Sequence, residues 1–206
     1  MSSRYAGTLS KAEARKRRNQ LFDEEKQRQR SELGRIKKIE VKYKSAEEEI
    51  IMAMNRNIST PYDCARHISE SVAKMSAIAL VDNQVWDMHR PFMGDCELQL
   101  ITMQSPRIRM VNYAFWRTCS FILGAVADSA FKDNINLHLH SFPIPNITSG
   151  SFIYDVFIDL PDWQPTNSEL CAMSALFVKL KNRELLLERL EVSSSIALDM
   201  FQVEME

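Results

Sequence analysis

Polar and apolar residues change their periodicity along the chain, and each change predicts a different kind of element. The segment from Ser10 to about Leu33 is rich in Lys, Arg, Glu and Gln and has few large apolar residues. Its propensity favours a helix, but its apolar stripe is too thin for a core element. The sequence therefore begins with a predicted helix that lies outside the hydrophobic core.

Short strands around one helix are predicted next. Thr60-Pro61-Tyr62-Asp63 marks a helix start, with Thr60 as N-cap and Asp63 three residues after it, and Ala65, Ile68, Val72 and Ala73 as its buried face. Asp82-Asn83 is a predicted hairpin turn, and Glu47–Glu49 an acidic one. Alternation predicts strands at 36–43, Ile50–Met54, Ala77–Val81, Val85-Trp86 and Cys96–Thr102. This ββαβββ order has the proportions of a ubiquitin-like β-grasp.

A second module is predicted from about Asn112. Its elements are a long amphipathic helix at Tyr113–Phe131, strands at Asn136–His140 and Phe152–Asp159, a helix at Asn167–Lys181 and a Leu-rich helix at Arg183–Phe201. The predicted fold class is α+β, with a basic, helical extension over residues 1–35, a β-grasp over 36–104 and the second module over 112–206.

Charge is distributed unevenly. The 206 residues sum to −1, yet residues 1–44 hold 14 Lys/Arg against six Asp/Glu, whereas the rest hold 12 against 21. A basic extension on an acidic body points to nucleic acid or an acidic partner for one end. No apolar stretch approaches the roughly 18 residues of a membrane span.

Two interpretations of the basic extension remain open. It is either a solvated helical tail, or a segment that binds RNA phosphates or an acidic protein. The N-terminal 22 residues fit a mitochondrial transit segment and a retained basic helix equally well. The second interpretation makes the following residues candidate contacts: Arg15, Lys16, Arg17, Arg18, Arg28, Arg30, Lys37 and Lys38.

Motifs for catalysis and cofactor binding are missing from the sequence. It has no phosphate-binding loop, no dinucleotide-binding glycine pattern and no nucleophile elbow, so neither a cofactor nor a small-molecule substrate is expected. His138 and His140 are spaced to share a strand face, but no third metal ligand is indicated, and no metal is expected. The four isolated cysteines are expected to be reduced, part-buried thiols. The three tryptophans are interpreted as core or interface anchors rather than base-stacking platforms.

Two stretches resemble parts of threonyl-tRNA synthetase. Asn57–Thr102, with its "TP-D-A--I" helix start and "ALVDNQVWDM" hairpin, is similar to the TGS domain of those enzymes. Trp116–Phe201, which begins "WRTCSFILGAV", resembles the start of their editing domain. Alignment on "ILG" puts Arg117 and Phe121 where that family carries two histidines one turn apart. Arginine cannot act as a base near neutral pH and Phe has no proton to transfer, so the resemblance implies a scaffold without editing activity.

The whole pattern resembles the family of mitochondrial large-subunit ribosomal protein thirty-nine, which is similar to threonyl-tRNA synthetase in these two domains. The resemblance rests on "NLF-EEK-RQ", "KIEVK", "MN-NISTPY-CA-H-SE" and "ALVD-Q-WDM". It implies a non-catalytic ribosomal protein of the mitochondrial matrix, without a membrane anchor. Its expected partners are neighbouring large-subunit proteins and, through the extension, ribosomal RNA. A freestanding aminoacyl-tRNA deacylase and an RNA-binding regulator of translation are the alternatives.

Overall fold

The computed structural model describes residues 10–45, 48–133, 135, 137–183, 185 and 187–201. The elements are α1 (Lys11–Ser31), β1 (Lys38–Lys44), β2 (Glu49–Asn55), α2 (Pro61–Ile68), α3 (Glu70–Met75), β3 (Ser76–Val81), β4 (Gln84–Trp86), β5 (Cys96–Thr102), α4 (Ile108–Ala130), β6 (Leu137–Ser141), β7 (Asp155–Ile158), α5 (Asn167–Lys181) and α6 (Ser194–Phe201).

The chain forms two compact units, and their division falls within α4, between Phe121 and Ile122. The first, called here the β-grasp unit, contains β1 to β5, α2, α3, the first part of α4 and the segment Phe142–Ile153. The second, called here the helical unit, contains α1, the last part of α4, β6, β7, α5 and α6.

One five-stranded sheet organises the β-grasp unit, in the order β2-β1-β5-β3-β4. Strands β1 and β5 are parallel and the other neighbours are antiparallel, which is the mixed sheet that the β-grasp prediction requires. All five predicted strands are present, with bounds within two residues of the prediction. Asp82 and Asn83 both have positive φ, as a two-residue hairpin turn demands.

Both faces of this sheet carry core residues. On one face, Val41, Leu98 and Phe92 are fully buried, together with Cys64 and Ala65 of α2. On the other face, a smaller cluster of β3 and β5 residues packs on Val111 at the start of α4. Helix α4 begins at Ile108, five residues before its predicted start at Tyr113, because this first turn supplies that buried contact.

The helix predicted from Thr60 is interrupted. Its start is confirmed, because Thr60 and Asp63 form a capping box and Pro61 is the first helical residue. Ser69 then adopts an extended conformation, and its hydroxyl accepts a hydrogen bond from the Val72 N–H (3.0 Å), which begins α3 as a separate helix. A serine side chain that satisfies the backbone locally competes with a continuous helix.

In the helical unit, β6 and β7 form an antiparallel hairpin. It matches the two predicted strands, except that Asn136 lies outside the described residues and β7 begins only at Asp155. Helix α5 has the predicted bounds and a capping box of Thr166 and Glu169.

The long helix predicted at Arg183–Phe201 is wrong. Residues 187–193 are not helical, and α6 begins at Ser194. The carbonyl of Ser193 accepts the Ala197 N–H (3.0 Å), so the first turn of α6 starts in a run of three serines. Serine favours helix starts over helix interiors, which explains why the leucine-rich pattern before it does not continue into α6. Across the described part of the chain, every helix is too short or too polar to cross a bilayer.

Candidate nucleic-acid interface

Helix α1 carries six of the eight candidate contact residues, and its less exposed side chains recur every three or four positions. Those side chains are Lys11, Ala14, Arg18, Leu21, Phe22, Glu25, Lys26 and Gln29. The predicted helix is confirmed, and it is held within the helical unit by polar contacts. Arg15 pairs with Asp128 of α4 (2.7 Å), Lys26 pairs with Glu188 (2.7 Å), and the Arg18 guanidinium lies 4.9 Å from the centre of the Phe201 ring.

Glu25 is the most buried residue of α1, with 7% of its surface exposed. Two Arg28 nitrogens donate to its carboxylate at 2.7 Å each, and the Gln29 amide donates at 2.8 Å. These hydrogen bonds lower the pKa of Glu25 to about 2, and those from Arg28 make the largest contribution. Arg28 also bonds Glu32 (2.6 Å), and both carboxylates raise its pKa. The charge of Arg28 is therefore engaged by Glu25 of α1 and by Glu32 at the C-cap of that helix.

Three candidate cations on α1 face outward. Lys16, Arg17 and Arg30 are exposed, and within the described residues none of them takes part in an ion pair. Lys16 and Arg17 are consecutive, so they present two charges at one level of the helix. Arg15 and Arg28 are also exposed, but their charges are engaged by Asp128 and Glu25.

The remaining two candidates lie at the entrance to β1, in the β-grasp unit. Lys37 lines a cleft of about 170 Å³ together with Arg35 and Arg56. All three side chains are exposed, and the other lining residues are uncharged. We call this cluster the cationic cleft. Lys38, the first residue of β1, is exposed but does not line it.

The β1–β2 hairpin assembles the cationic cleft. Its ladder continues one step past Lys38 and Asn55, because the Arg56 N–H donates to the Lys37 carbonyl (2.9 Å). Asn57 then turns the chain with φ of 60°, and its N–H donates to the Phe92 carbonyl (2.8 Å). Sequence reasoning missed Arg35 and Arg56; extending the predicted hairpin to its open end would have brought Arg56 beside Lys37.

The two positions aligned with editing histidines provide no acid–base pair. Arg117 and Phe121 lie one turn apart on α4, and the Arg117 guanidinium is 4.6 Å from the centre of the Phe142 ring. Phe121 is half-exposed. Arginine is a hydrogen-bond donor without an acceptor atom, and phenylalanine has no ionisable group, so neither side chain can abstract a proton.

The histidines, cysteines and tryptophans show no catalytic arrangement in the described residues. The His138 ring is tilted by 37° against the Phe157 ring, with centroids 6.2 Å apart, and no group of three or more potential metal ligands occurs in these residues. Burial raises the pKa of the Cys64 thiol to about 12 and that of Cys96 to about 11, so both remain protonated at neutral pH. Cys171 is exposed, so the expectation of part-buried thiols is wrong for it. Trp86 donates to the Arg90 carbonyl (3.0 Å) under the Arg90 guanidinium, which supports its role as a packing anchor.

Comparison with known proteins gives these features a context. Residues 49–102 match the TGS domain family. Over 187 residues, the chain is 50% identical to the large ribosomal subunit protein mL39 of Drosophila melanogaster. The chain is therefore similar to mL39 over most of its own length. The alignment covers 90% of this chain and 56% of the mL39 relative, so the chain spans little more than half the length of that protein.

Threonine–tRNA ligases are more distant relatives than mL39. The chain is 32% identical to threonine–tRNA ligase 2, cytoplasmic, of Homo sapiens and 28% identical to the human ligase 1, in each case over 144 residues. These alignments cover 70% of the chain but only 16% and 18% of the ligases. Both resemblances inferred from the sequence, to the mitoribosomal family and to threonyl-tRNA synthetase, are confirmed.

Proposed function

We propose that this chain is a structural, non-catalytic constituent of the large ribosomal subunit of mitochondria, in the matrix. The carrying observation is its 50% identity to mL39 across 90% of its length. The absence of an acid–base pair at Arg117 and Phe121 supports a scaffold rather than an editing enzyme. Its partners are other large-subunit proteins and ribosomal RNA; no cofactor, membrane or small-molecule substrate takes part.

The proposed domain division keeps the basic helical extension at 1–35, the TGS-like β-grasp at 36–104 and the N-terminal part of an editing-like domain at 112–206. The ligase alignments support the last of these. They extend over 144 residues, whereas the TGS match covers only residues 49–102, so the similarity continues well beyond the β-grasp.

Ribosomal RNA is proposed to bind through exposed cations. The cationic cleft gathers Arg35, Lys37 and Arg56, and Lys38 lies next to it in sequence. On α1, Lys16, Arg17 and Arg30 are the proposed contacts, while Arg15, Arg18 and Arg28 contribute less because Asp128, Phe201 and Glu25 already engage them. Each phosphate contact releases counterions, so binding should weaken steeply with salt.

Sedimentation of tagged protein from mitochondria tests the function. We expect the protein to comigrate with large ribosomal subunits on a sucrose gradient, and its absence from them would contradict the proposal. A deacylation assay on mischarged tRNA with the purified chain is the second check. Turnover above background would favour the deacylase alternative instead.

A charge-reversal experiment tests the cationic cleft separately. Changing Arg35, Lys37 and Arg56 to Glu should weaken binding to a large-subunit rRNA transcript and reduce the slope of log K against log salt by about 2 to 3. The matched control reverses three exposed lysines that do not line the cleft: Lys74, Lys179 and Lys181. Equal effects of both triple variants would show that net charge, and not the cleft, determines RNA binding.

A further inference from the structure

Strand β2 ends the five-stranded sheet, with β1 on one side and, in the part of the chain that the structure describes, no strand on the other. It has seven residues and pairs with β1 without a register shift, from Lys38↔Asn55 to Lys44↔Glu49. Its outer edge is therefore long and regular.

Hydrogen bonds at the two ends of the hairpin fix the direction of each β2 backbone group. The Ser45 N–H donates to the Glu48 carbonyl (2.9 Å), and the Arg56 N–H donates to the Lys37 carbonyl (2.9 Å). Hydrogen-bonded and non-bonded residue pairs alternate in an antiparallel ladder. Counting inward from either end therefore identifies the same non-bonded pairs, which include those of Glu49, Ile51 and Ala53. The N–H and C=O groups of Glu49, Ile51 and Ala53 consequently point away from β1.

Most of the usual protections of an edge strand are missing from β2. Edges are normally short, bulged, or interrupted by proline or by an inward-pointing charge. Here the strand contains no proline, and its core-facing side chains Ile50, Met52 and Met54 are apolar. The side chain of Ile51, on the opposite face of the sheet, is 62% exposed. By contrast β4, at the opposite edge, has only three residues.

Backbone chemistry selects the occupant of this edge. Outward donors and acceptors recur every second residue, about 6.8 Å apart, which is the repeat of another β-strand. An RNA phosphate can accept from these N–H groups but cannot donate to the carbonyl oxygens between them. The edge therefore fits an extended polypeptide.

Antiparallel pairing is slightly more stable per residue than parallel pairing, and charge along the edge sets the residue order of such an antiparallel strand. Exposed Glu48 and Glu49 lie at the beginning of β2, and Arg56 follows its end. A strand antiparallel to β2 places its N-terminal residues beside Arg56 and its C-terminal residues beside Glu49. Complementarity requires such a strand to run from acidic through apolar to basic residues.

We propose that the outer edge of β2 is completed by an extended, antiparallel segment of a neighbouring protein, ordered acidic, apolar, basic. This proposal names one kind of partner for the ribosomal role and rests on that proposed function. A second copy of the chain is a weaker occupant. Three outward residues bury far less than the roughly 1,200 Å² of a stable association, whereas a segment already tethered in the same particle binds at high effective concentration.

Amide hydrogen exchange on the full chain, free and within purified large subunits, tests the edge. The amides of Glu49, Ile51 and Ala53 should exchange rapidly in the free protein and about 100-fold more slowly in the particle. Unchanged rates in the particle would overturn the edge proposal and leave the ribosomal function intact. Failure to find the chain in the particle would overturn the function, and the edge proposal with it.

A matched pair of variants distinguishes strand pairing from side-chain contact. Ala53→Pro removes one outward N–H without removing a β1–β2 hydrogen bond, and Ala53→Thr keeps that N–H. We expect Ala53→Pro to lower incorporation into the particle about fivefold and Ala53→Thr to leave it unchanged. Thermal unfolding of each free variant checks that the β-grasp unit is folded.

Two outcomes would assign the edge differently. If both variants incorporate like the parent and the edge amides are still protected, a non-strand contact covers β2 and the proposal is wrong. If the free chain already protects these amides and sediments as a concentration-dependent dimer that Ile51→Lys dissociates, the occupant is a second copy, which also overturns the proposal.

Discussion

The two units of the chain bury their apolar residues to very different extents. In the β-grasp unit, Val41, Leu98 and Phe92 are fully buried, and core clusters lie on both faces of the sheet. In the helical unit, α5 has no buried residue and Phe157 of β7 is 62% exposed. A sheet covered on both faces encloses a core, whereas a two-stranded hairpin is marginal without further layers. The comparison teaches that this chain's intrinsic stability resides in the β-grasp unit.

The largest expected contrast comes from truncating one phenylalanine in each unit. Phe92→Ala empties a fully buried site and should lower the free energy of unfolding by about 3 to 5 kcal/mol. Phe157→Ala removes an exposed ring and should change it by less than about 0.5 kcal/mol. Urea denaturation followed by circular dichroism measures both. Comparable losses from the two variants would break the comparison.

Substitution of Gly124 tests whether side chains pack closely in the helical unit. A Cβ added at Gly124 would lie 2.5 Å from the Tyr154 ring, so Gly124→Ala should destabilise that unit by about 1 to 3 kcal/mol despite its better helix propensity. Gly94→Ala is the control, because nothing lies within 4 Å of its added Cβ. A shift in the melting temperature for Gly124→Ala alone would show a local tight contact in an otherwise sparse unit.

Each unit contains a capping box whose N-cap residue is threonine, which permits a direct comparison. Thr60→Ala and Thr166→Ala each remove a hydroxyl that caps a helix, at a typical cost of about 1 kcal/mol. Thr60→Ala should destabilise the β-grasp unit cooperatively, since α2 is part of its core. Thr166→Ala should raise amide exchange only near the start of α5. Exchange that spreads throughout the helical unit would indicate more cooperativity than its burial suggests.

The smallest expected effect is on the stability of α1 at acidic pH. The folded pKa of Glu25 is about 2, below the unfolded value near 4.3, so ionised Glu25 stabilises α1 at neutral pH. This contribution is fully present above about pH 4.5 and is lost as the pH falls toward 2. Glu25→Gln should flatten the acid dependence of α1 helicity in that range, measured by circular dichroism. An unchanged dependence of helicity on pH would show that the hydrogen bonds between Arg28 and the Glu25 carboxylate do not stabilise α1.

Sequence patterns predicted the β-grasp unit better than the helical unit, for physical reasons. Alternation, the Thr60 cap and the Asp82-Asn83 turn are local features that burial reinforces, so all five strands and the start of α2 were found. The leucines before α6 gave a helical pattern with little burial to stabilise it, and the prediction failed there. Of the three cations of the cationic cleft, only Lys37 was predicted; Arg56 was missed because it reaches Lys37 only through cross-strand pairing.

The parallel pairing of β1 with β5 has a consequence for how the chain folds. Val41 lies beside Cys96, so the central ladder of the sheet joins residues 55 positions apart in the sequence. The β1–β2 hairpin is local and can form early, but the sheet cannot close until β5 has been synthesised. At about 5 to 20 residues per second, the nascent hairpin waits several seconds with its inner edge unpaired. Chaperone association during synthesis should therefore be greatest in that interval.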